Sequence, residues 1–182
     1  QLRSRTIGQI FSGDITNWND ARIKADNALS PRTKNFKFPS LPITACVRQD
    51  GSGTSFVTST FLAKASPEFK AKVTAGQLPN WTAPQKIAAP GNQGVANCVK
   101  TTTGAIGYVD LGDARNNGLA RNMAAVGKSE VIKVPRRVNG KRKLVTVRRL
   151  VFMVPSVAAI QRAGNLTASD IPSNLVLDLT LS

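Results

Sequence analysis

The 182 residues fit one globular domain or two small lobes, and a hydrophobic fraction of 41% is enough for a buried core. The formal charge is +15 and histidine is missing, which removes the commonest general base and the commonest metal ligand together. Two cysteines alone cannot complete a four-ligand zinc site. We therefore expect no catalytic centre, no metal and no cofactor.

The start of the chain leads us to expect a segment of a longer protein. Arg3 and Arg5 are not followed by the apolar run of a secretory signal, and the chain does not begin with Met. No stretch of about 18 apolar residues is available to cross a bilayer. We expect a processed or excised segment whose targeting information lies upstream.

Short helices and one strand are predicted for the first half of the chain. Residues 6–11 should form a helix that is capped by Thr6 and ended by Ser12-Gly13, and a second helical stretch should begin at Ala21. Residues 42–47 are apolar and partly β-branched, which predicts a buried strand. A glycine-rich loop and a helix over residues 54–64 follow this strand.

The middle of the chain continues the alternation of helices and strands. Ser66-Pro67-Glu68 is a typical helix start, with Gly76 as its stop. Gly91 to Gly94 should cap a helix that reaches about residue 100, and residues 105–109 should form a second strand. This order predicts an α/β fold with a largely parallel sheet.

Residues 128–149 form a basic segment that alternates around Asn139-Gly140, the strongest short hairpin signal. Nine basic residues less one acidic residue give +8, over half of the net charge, in 22 residues. We favour a solvated hairpin, with binding of nucleic acid or an anionic surface as the alternative. Nucleic acid is disfavoured because the segment has no aromatic residue to stack on bases. A strand over residues 150–154 and a helix over residues 157–163 should follow.

The loop after the first predicted strand has the composition of an anion site. Arg48 offers a charged fork that matches two oxygens of a tetrahedral oxyanion. Gly53 lets an anion approach the backbone, and the hydroxyls of Ser52 and Thr54 add donors at the start of a helix, where free N–H groups and the helix dipole favour negative charge. The segment lacks the lysine and the spacing of a P-loop.

Alternative interpretations of these residues stay open. The loop can be a plain turn, and Asp50 can cap the helix instead of pairing with Arg48. A hydrolase that uses Ser52 or Ser55 is disfavoured because no histidine is present to activate a serine. Cys46 and Cys98 lie in apolar settings, where we favour buried free thiols over a disulfide.

Four segments in order resemble the phosphate-binding proteins of phosphate ABC transporters, which have the type II periplasmic-binding-protein fold. They are residues 10–20 (IFSGDITNWND), 47–56 (VRQDGSGTSF), 91–95 (GNQGV) and 104–109 (GAIGYV). The resemblance implies a non-catalytic solute receptor in which Arg48, steadied by Asp50, pairs with phosphate. It implies that Ser52, Gly53 and Thr54 donate hydrogen bonds to the anion. Trp18 and Tyr108 should have structural roles.

The resemblance covers only the second of two lobes. It implies partners: inorganic phosphate, a first lobe missing from this chain, and the membrane subunits of an ABC transporter. The missing lobe would carry the aspartate that accepts a proton from phosphate, so sulfate is a possible ligand. We therefore expect residues 1–182 to form a single lobe, with the basic hairpin as an addition at residues 128–149. We expect a periplasmic or extracellular location.

Overall fold

The computed structural model of the chain describes residues 1–28, 30, 32–138, 141–154 and 156. Its elements in chain order are β1 (Leu2–Arg3), α1 (Ser4–Phe11), α2 (Ala21–Asn27), β2 (Thr44–Arg48), α3 (Gly53–Ala65), α4 (Pro67–Lys72), β3 (Lys86–Ala89), α5 (Gly91–Thr101), β4 (Ala105–Gly107), α6 (Leu111–Asn116), β5 (Val126–Val138) and β6 (Lys141–Met153). Among the described residues, no helix combines the length and the apolar character needed to cross a lipid bilayer.

A parallel three-stranded sheet with the order β3-β2-β4 forms the centre of the fold. Strand β2 lies in the middle, and both neighbours run in its direction, with Cys46 opposite Ile87 on one side and opposite Gly107 on the other. Helices α3 and α4 connect β2 to β3, and α5 connects β3 to β4. The predicted α/β fold with a largely parallel sheet is confirmed.

Gly107 lets helix α5 pack directly on the central sheet. A Cβ at Gly107 would lie 2.6 Å from a methyl group of Val99 in α5. Strand β4 ends at this residue, so it is shorter than the predicted strand over residues 105–109.

A second sheet has the order β1-β5-β6 and contains the basic hairpin. Strands β5 and β6 pair antiparallel down to Val138 opposite Lys141, which confirms the predicted hairpin. Asn139 and Gly140 lie outside the described residues. Strand β1 pairs with β5 only at the base of the hairpin, opposite Val126 and Gly127.

Pro135 and the residues after the hairpin match their predictions in part. Pro135 lies opposite Leu144 and beyond the two residues that pair with β1, so β5 has one open edge at this position, which agrees with the predicted edge strand. The strand predicted over residues 150–154 is the end of β6, which stops at Met153. The helix predicted over residues 157–163 lies outside the described residues.

The helix ends differ from the predictions at α1, α4 and α5; in α5 the residues predicted as the cap, Gly91 to Gly94, lie inside the helix, and Pro90 is the N-cap residue. Helix α1 begins at Ser4, so Thr6 lies within the helix and is buried instead of capping it. Helix α4 has the predicted cap, because Ser66 Oγ accepts a hydrogen bond from the N–H of Phe69 at 3.3 Å. It ends at Lys72, before Gly76, because Val73 already adopts extended backbone angles.

An aromatic cluster fills the core between the central sheet and the helices α1, α3 and α4. The ring of Phe11 lies 5.4 Å from that of Trp81 and 6.0 Å from that of Tyr108. The ring of Phe69 also packs against Trp81, at 6.0 Å in an edge-on arrangement. Trp18 packs against a neighbouring apolar cluster and donates its Nε1–H to the carbonyl of Gly104 at 2.9 Å, which agrees with its expected structural role.

The two cysteines form a disulfide, so the prediction of free thiols is wrong. Cys46 and Cys98 are both buried, and their Cα atoms lie 6.0 Å apart. The pairing arises because α5 packs on β2, a contact between residues 52 positions apart that local apolar patterns cannot reveal. Closing a loop of this length contributes about 4 kcal/mol in the chain-entropy account.

Candidate functional site

The candidate site lies where β2 ends and α3 begins. Ser52 caps α3, with its Oγ accepting a hydrogen bond from the N–H of Ser55 at 3.2 Å, so the alternative in which Asp50 is the cap is wrong. The N–H groups of Gly53 and Thr54 lie in the first turn, where a helix provides no acceptor. A Cβ at Gly53 would have no atom within 4 Å, so the backbone is open to an approaching group.

Arg48 and Asp50 form a bidentate ion pair at the start of this loop. Arg48 Nε donates to Asp50 Oδ1 at 2.9 Å, and Nη2 donates to Oδ2. The arginine side chain is only 12% exposed, so its direction is restricted. The hydrogen bonds from Arg48, and next the N–H of Gly91 at 3.1 Å, hold the pKa of Asp50 well below its usual value. The carboxylate therefore stays ionised and keeps the guanidinium in place.

Asn92 holds the opposite side of the guanidinium. Arg48 Nη1 donates to Ser52 Oγ and to Asn92 Oδ1, each at 2.8 Å. Asn92 Nδ2 in turn donates to Asp110 Oδ2 at 2.6 Å and to Asp113 Oδ2 at 2.9 Å. The sequence placed Asn92 in a helix cap and gave no role to the two aspartates, which lie in and before α6.

Tyr108 supports the loop through its hydroxyl group. Its hydroxyl accepts a hydrogen bond from the backbone N–H of Arg48 at 3.1 Å and shares another with Ser55 Oγ at 2.7 Å. Burial, the largest effect, raises the pKa of this phenol. The expected structural role of Tyr108 is confirmed, and it includes direct contact with Arg48 at the start of the loop and with Ser55 in the first turn of α3.

The chemistry available here is anion recognition. The described residues contain no cluster of histidine, cysteine or carboxylate side chains that could hold a metal. A cavity of about 590 Å³ lies elsewhere, between the helices and β4, and the described residues that line it carry no charged side chain. Its lining is mostly apolar and offers no charged side chain, so we place the candidate site at the Arg48–Thr54 loop instead.

Comparison with known proteins assigns the family. Residues 1–161 match the family model described as "PBP superfamily domain". The chain belongs to this family, which confirms the family resemblance of the sequence.

Several relatives carry the name phosphate-binding protein PstS. That of Xylella fastidiosa (strain Temecula1) is 38% identical over 66% of this chain and 31% of its own length. That of Haemophilus influenzae is 35% identical over 66% of this chain and 34% of its own length. This chain thus spans about a third of the relatives that it matches.

A solved phosphate-binding protein from Stenotrophomonas maltophilia aligns at a TM-score of 0.44 and 23% identity, over 60% of this chain and 31% of that chain. The fold assignment stands on the family match and on the parallel sheet, without this alignment. None of these comparisons supports the nucleic-acid alternative.

Proposed function

We propose that this chain binds inorganic phosphate without catalysis, as one lobe of the solute receptor of a phosphate ABC transporter. The observation that carries the proposal is the Arg48 guanidinium, fixed by Asp50 beside the open first turn of α3. The names of the relatives, phosphate-binding proteins in separate organisms, support phosphate as the ligand.

The proposed ligand shell consists of Arg48, Ser52, Gly53 and Thr54. Asp50 already neutralises Arg48, so the net charge of the pair is zero and attraction must come from directed donors. The free N–H groups at the start of α3 and the positive end of its dipole supply such donors. Asp50 supports this shell by holding Arg48 and does not itself face an anion.

The rest of the shell would come from a first lobe. The relatives are about three times as long as the segment that they share with this chain, which leaves room for such a lobe. Without it the anion stays partly hydrated on one side. Two or three weakened charge-assisted hydrogen bonds, less the entropy cost of association, correspond to roughly millimolar affinity, about −4 kcal/mol. Sulfate should compete nearly equally.

The disulfide supports the proposed location. Disulfides persist in oxidising compartments and are rare in the cytosol. The bond between Cys46 and Cys98 is therefore consistent with a periplasmic or extracellular receptor that delivers phosphate to the membrane subunits of a transporter.

Calorimetric titration of two arginine variants tests the proposal. Arg48→Ala should abolish phosphate binding. Arg22 offers a matched control, because it forms a similar bidentate pair with Asp20, with both bonds at 2.9 Å, away from the loop. Arg22→Ala removes the same charge and should bind phosphate like the wild type. Equal losses of phosphate affinity in both variants would reject the site, because they would show only a general effect of positive charge.

A further inference from the structure

Asn92 occupies a position between one positive and two negative side chains. It is the second residue of α5 and is half-buried. Its carbonyl oxygen accepts from Arg48 Nη1 at 2.8 Å, while its amide nitrogen donates to both Asp110 and Asp113. Because ionised carboxylates only accept hydrogen bonds, they fix which end of the amide faces Arg48.

The carboxylates that orient Asn92 have their own supports. Asp110 caps α6, with its Oδ1 accepting the N–H of Asp113 at 2.8 Å. This hydrogen bond, before any other cause, holds the pKa of Asp110 below its usual value. Asp110 is exposed and Asp113 is half-buried. Asp110 therefore stays negatively charged behind Asn92.

The donors of Arg48 are nearly all engaged. A guanidinium has five N–H groups. Two bond to Asp50, one to Ser52 and one to Asn92, which leaves one on Nη2 for a ligand. A direct bond from Arg48 to either α6 aspartate would add a second negative charge beside the anion site, where Asp50 already neutralises the guanidinium.

We propose that Asn92 is a positioning residue for the anion site. Its amide, which Asp110 and Asp113 orient, holds Arg48 in place and separates the two aspartates from the anion. This inference rests on the proposed function, because it concerns how the same loop stays receptive to an anion. Only a neutral side chain with an acceptor at one end and a donor at the other can satisfy both neighbours at this position.

Substitution of Asn92 by its charged isostere is the direct test. Asn92→Asp can still accept from Arg48, but it adds a negative charge at the site and meets two like charges. Phosphate and sulfate affinity should fall about tenfold, as expected for one added charge several ångströms away in a partly screened site. NMR titration of the amide signals of Gly53 and Thr54 measures affinities in the millimolar range.

A charge swap separates this role from a purely structural one. In Asn92→Asp/Asp110→Asn, the new amide can cap α6 through its oxygen and donate to the new carboxylate, so the hydrogen bond between positions 92 and 110 and the net charge are restored, while the bond to Asp113 is lost. Thermal stability should recover part of what Asn92→Asp alone loses, while anion affinity stays several-fold weaker. Recovery of both properties, or wild-type affinity in Asn92→Asp, would overturn the proposal.

Gln93→Ala is the matched control in the same helix turn. Gln93 exchanges two hydrogen bonds with Asn117, the C-cap residue of α6, at 2.9 and 3.0 Å, and has no hydrogen bond with Arg48. This variant loosens the contact between α5 and the end of α6 but should leave anion affinity unchanged. An equal loss of affinity in Gln93→Ala would assign the Asn92 effect to helix packing and reject the positioning role.

A measurement without any anion keeps the inference testable if the proposed function fails. The Arg48 side-chain N–H signals should show slow rotation about the Cζ–Nη1 bond in the wild type and faster rotation in Asn92→Ala. Identical Arg48 signals in the two proteins would overturn the inference. Absence of phosphate or sulfate shifts in the wild type would reject only the proposed function.

Discussion

At the scale of single residues, Arg48 is positioned from several sides by groups distant in sequence. Asp50 and Ser52 belong to the same loop as Arg48. Asn92 contacts Arg48 from α5, and Tyr108, which follows β4, accepts a hydrogen bond from the backbone N–H of Arg48. Local sequence was enough to predict the pairing of Arg48 with Asp50, because only one residue separates them. The contacts of Asn92 and Tyr108 span 44 and 60 residues and depend on how the strands align.

The hydroxyl of Tyr108 gives a prediction about stability. Tyr108→Phe keeps the ring against Phe11 and Trp81 but leaves the N–H of Arg48 and the hydroxyl of Ser55 without this partner. The free energy of unfolding should fall by about 1–2 kcal/mol, the usual effect of an unsatisfied buried donor. Urea denaturation measures it, and near-UV circular dichroism checks that the aromatic packing is kept. An unchanged midpoint would show that these two hydrogen bonds add nothing to stability.

At the scale of elements, strands and helices with a strong local pattern were predicted well, and short exposed elements were not. Strand β3 was missed because three of its four residues are exposed and do not alternate between apolar and polar. Strand β1 has two residues, too few for any pattern, and α6 has six. The Cys46–Cys98 bond was also out of reach, since apolar surroundings are shared by buried thiols and buried disulfides.

The disulfide joins two elements that both contribute to the site. Cys46 lies in β2 two residues before Arg48, and Cys98 lies in α5, which begins with Gly91 and Asn92. Cys46→Ala/Cys98→Ala should lose about 2–5 kcal/mol of stability, the range seen when native disulfides are removed. Wild-type protein in reducing buffer should show the same urea midpoint as the double variant. A midpoint that does not move in either experiment would contradict this role.

Glu68 links α1 to α4 and predicts a dependence on pH. Its carboxylate accepts hydrogen bonds from Arg5, Gln9 and Ser66. The hydrogen bond from Arg5, more than any other cause, lowers its pKa from 4.5 to about 2. The lowered pKa means that this contribution to folding is complete above pH 4.5 and is lost as the pH falls toward about 2.

Glu68→Gln should therefore flatten the fall in melting temperature between these pH values. Because Arg5 is 61% exposed, solvent screens the pair and the effect at neutral pH should be small. Melting curves from pH 6 to pH 2 compare the two proteins. Parallel curves for wild type and variant would show that Glu68 does not titrate as described.

The basic hairpin should be independent of the phosphate site. Its described basic side chains near the tip, including Arg136, Arg137, Arg142 and Lys143, are exposed. Replacing these four by glutamine should leave phosphate affinity within about twofold at physiological salt, because charges beyond a Debye length are largely screened. Calorimetry measures it, with Arg48→Ala as the reference for loss. A large loss of affinity would assign part of the binding to the hairpin.

At the scale of the whole molecule, the α/β class and the strand–turn–helix geometry of the Arg48–Thr54 loop were predictable, because each depends on local signals; the anion role of the loop stays a prediction. The affinity of a single lobe for phosphate depends on the contacts that a first lobe would add. Tight capture requires both lobes to enclose the ligand and exclude water, which strengthens each charged hydrogen bond. The one remaining N–H of Arg48 and the start of α3 offer contacts from one side only.

One measurement tests this central claim directly: an NMR titration of the wild-type chain with phosphate and then with sulfate, followed through all backbone amides. The account predicts shifts centred on Ser52, Gly53 and Thr54, with roughly millimolar midpoints that are nearly equal for the two anions. Shifts centred on the hairpin, or micromolar binding selective for phosphate, would contradict it.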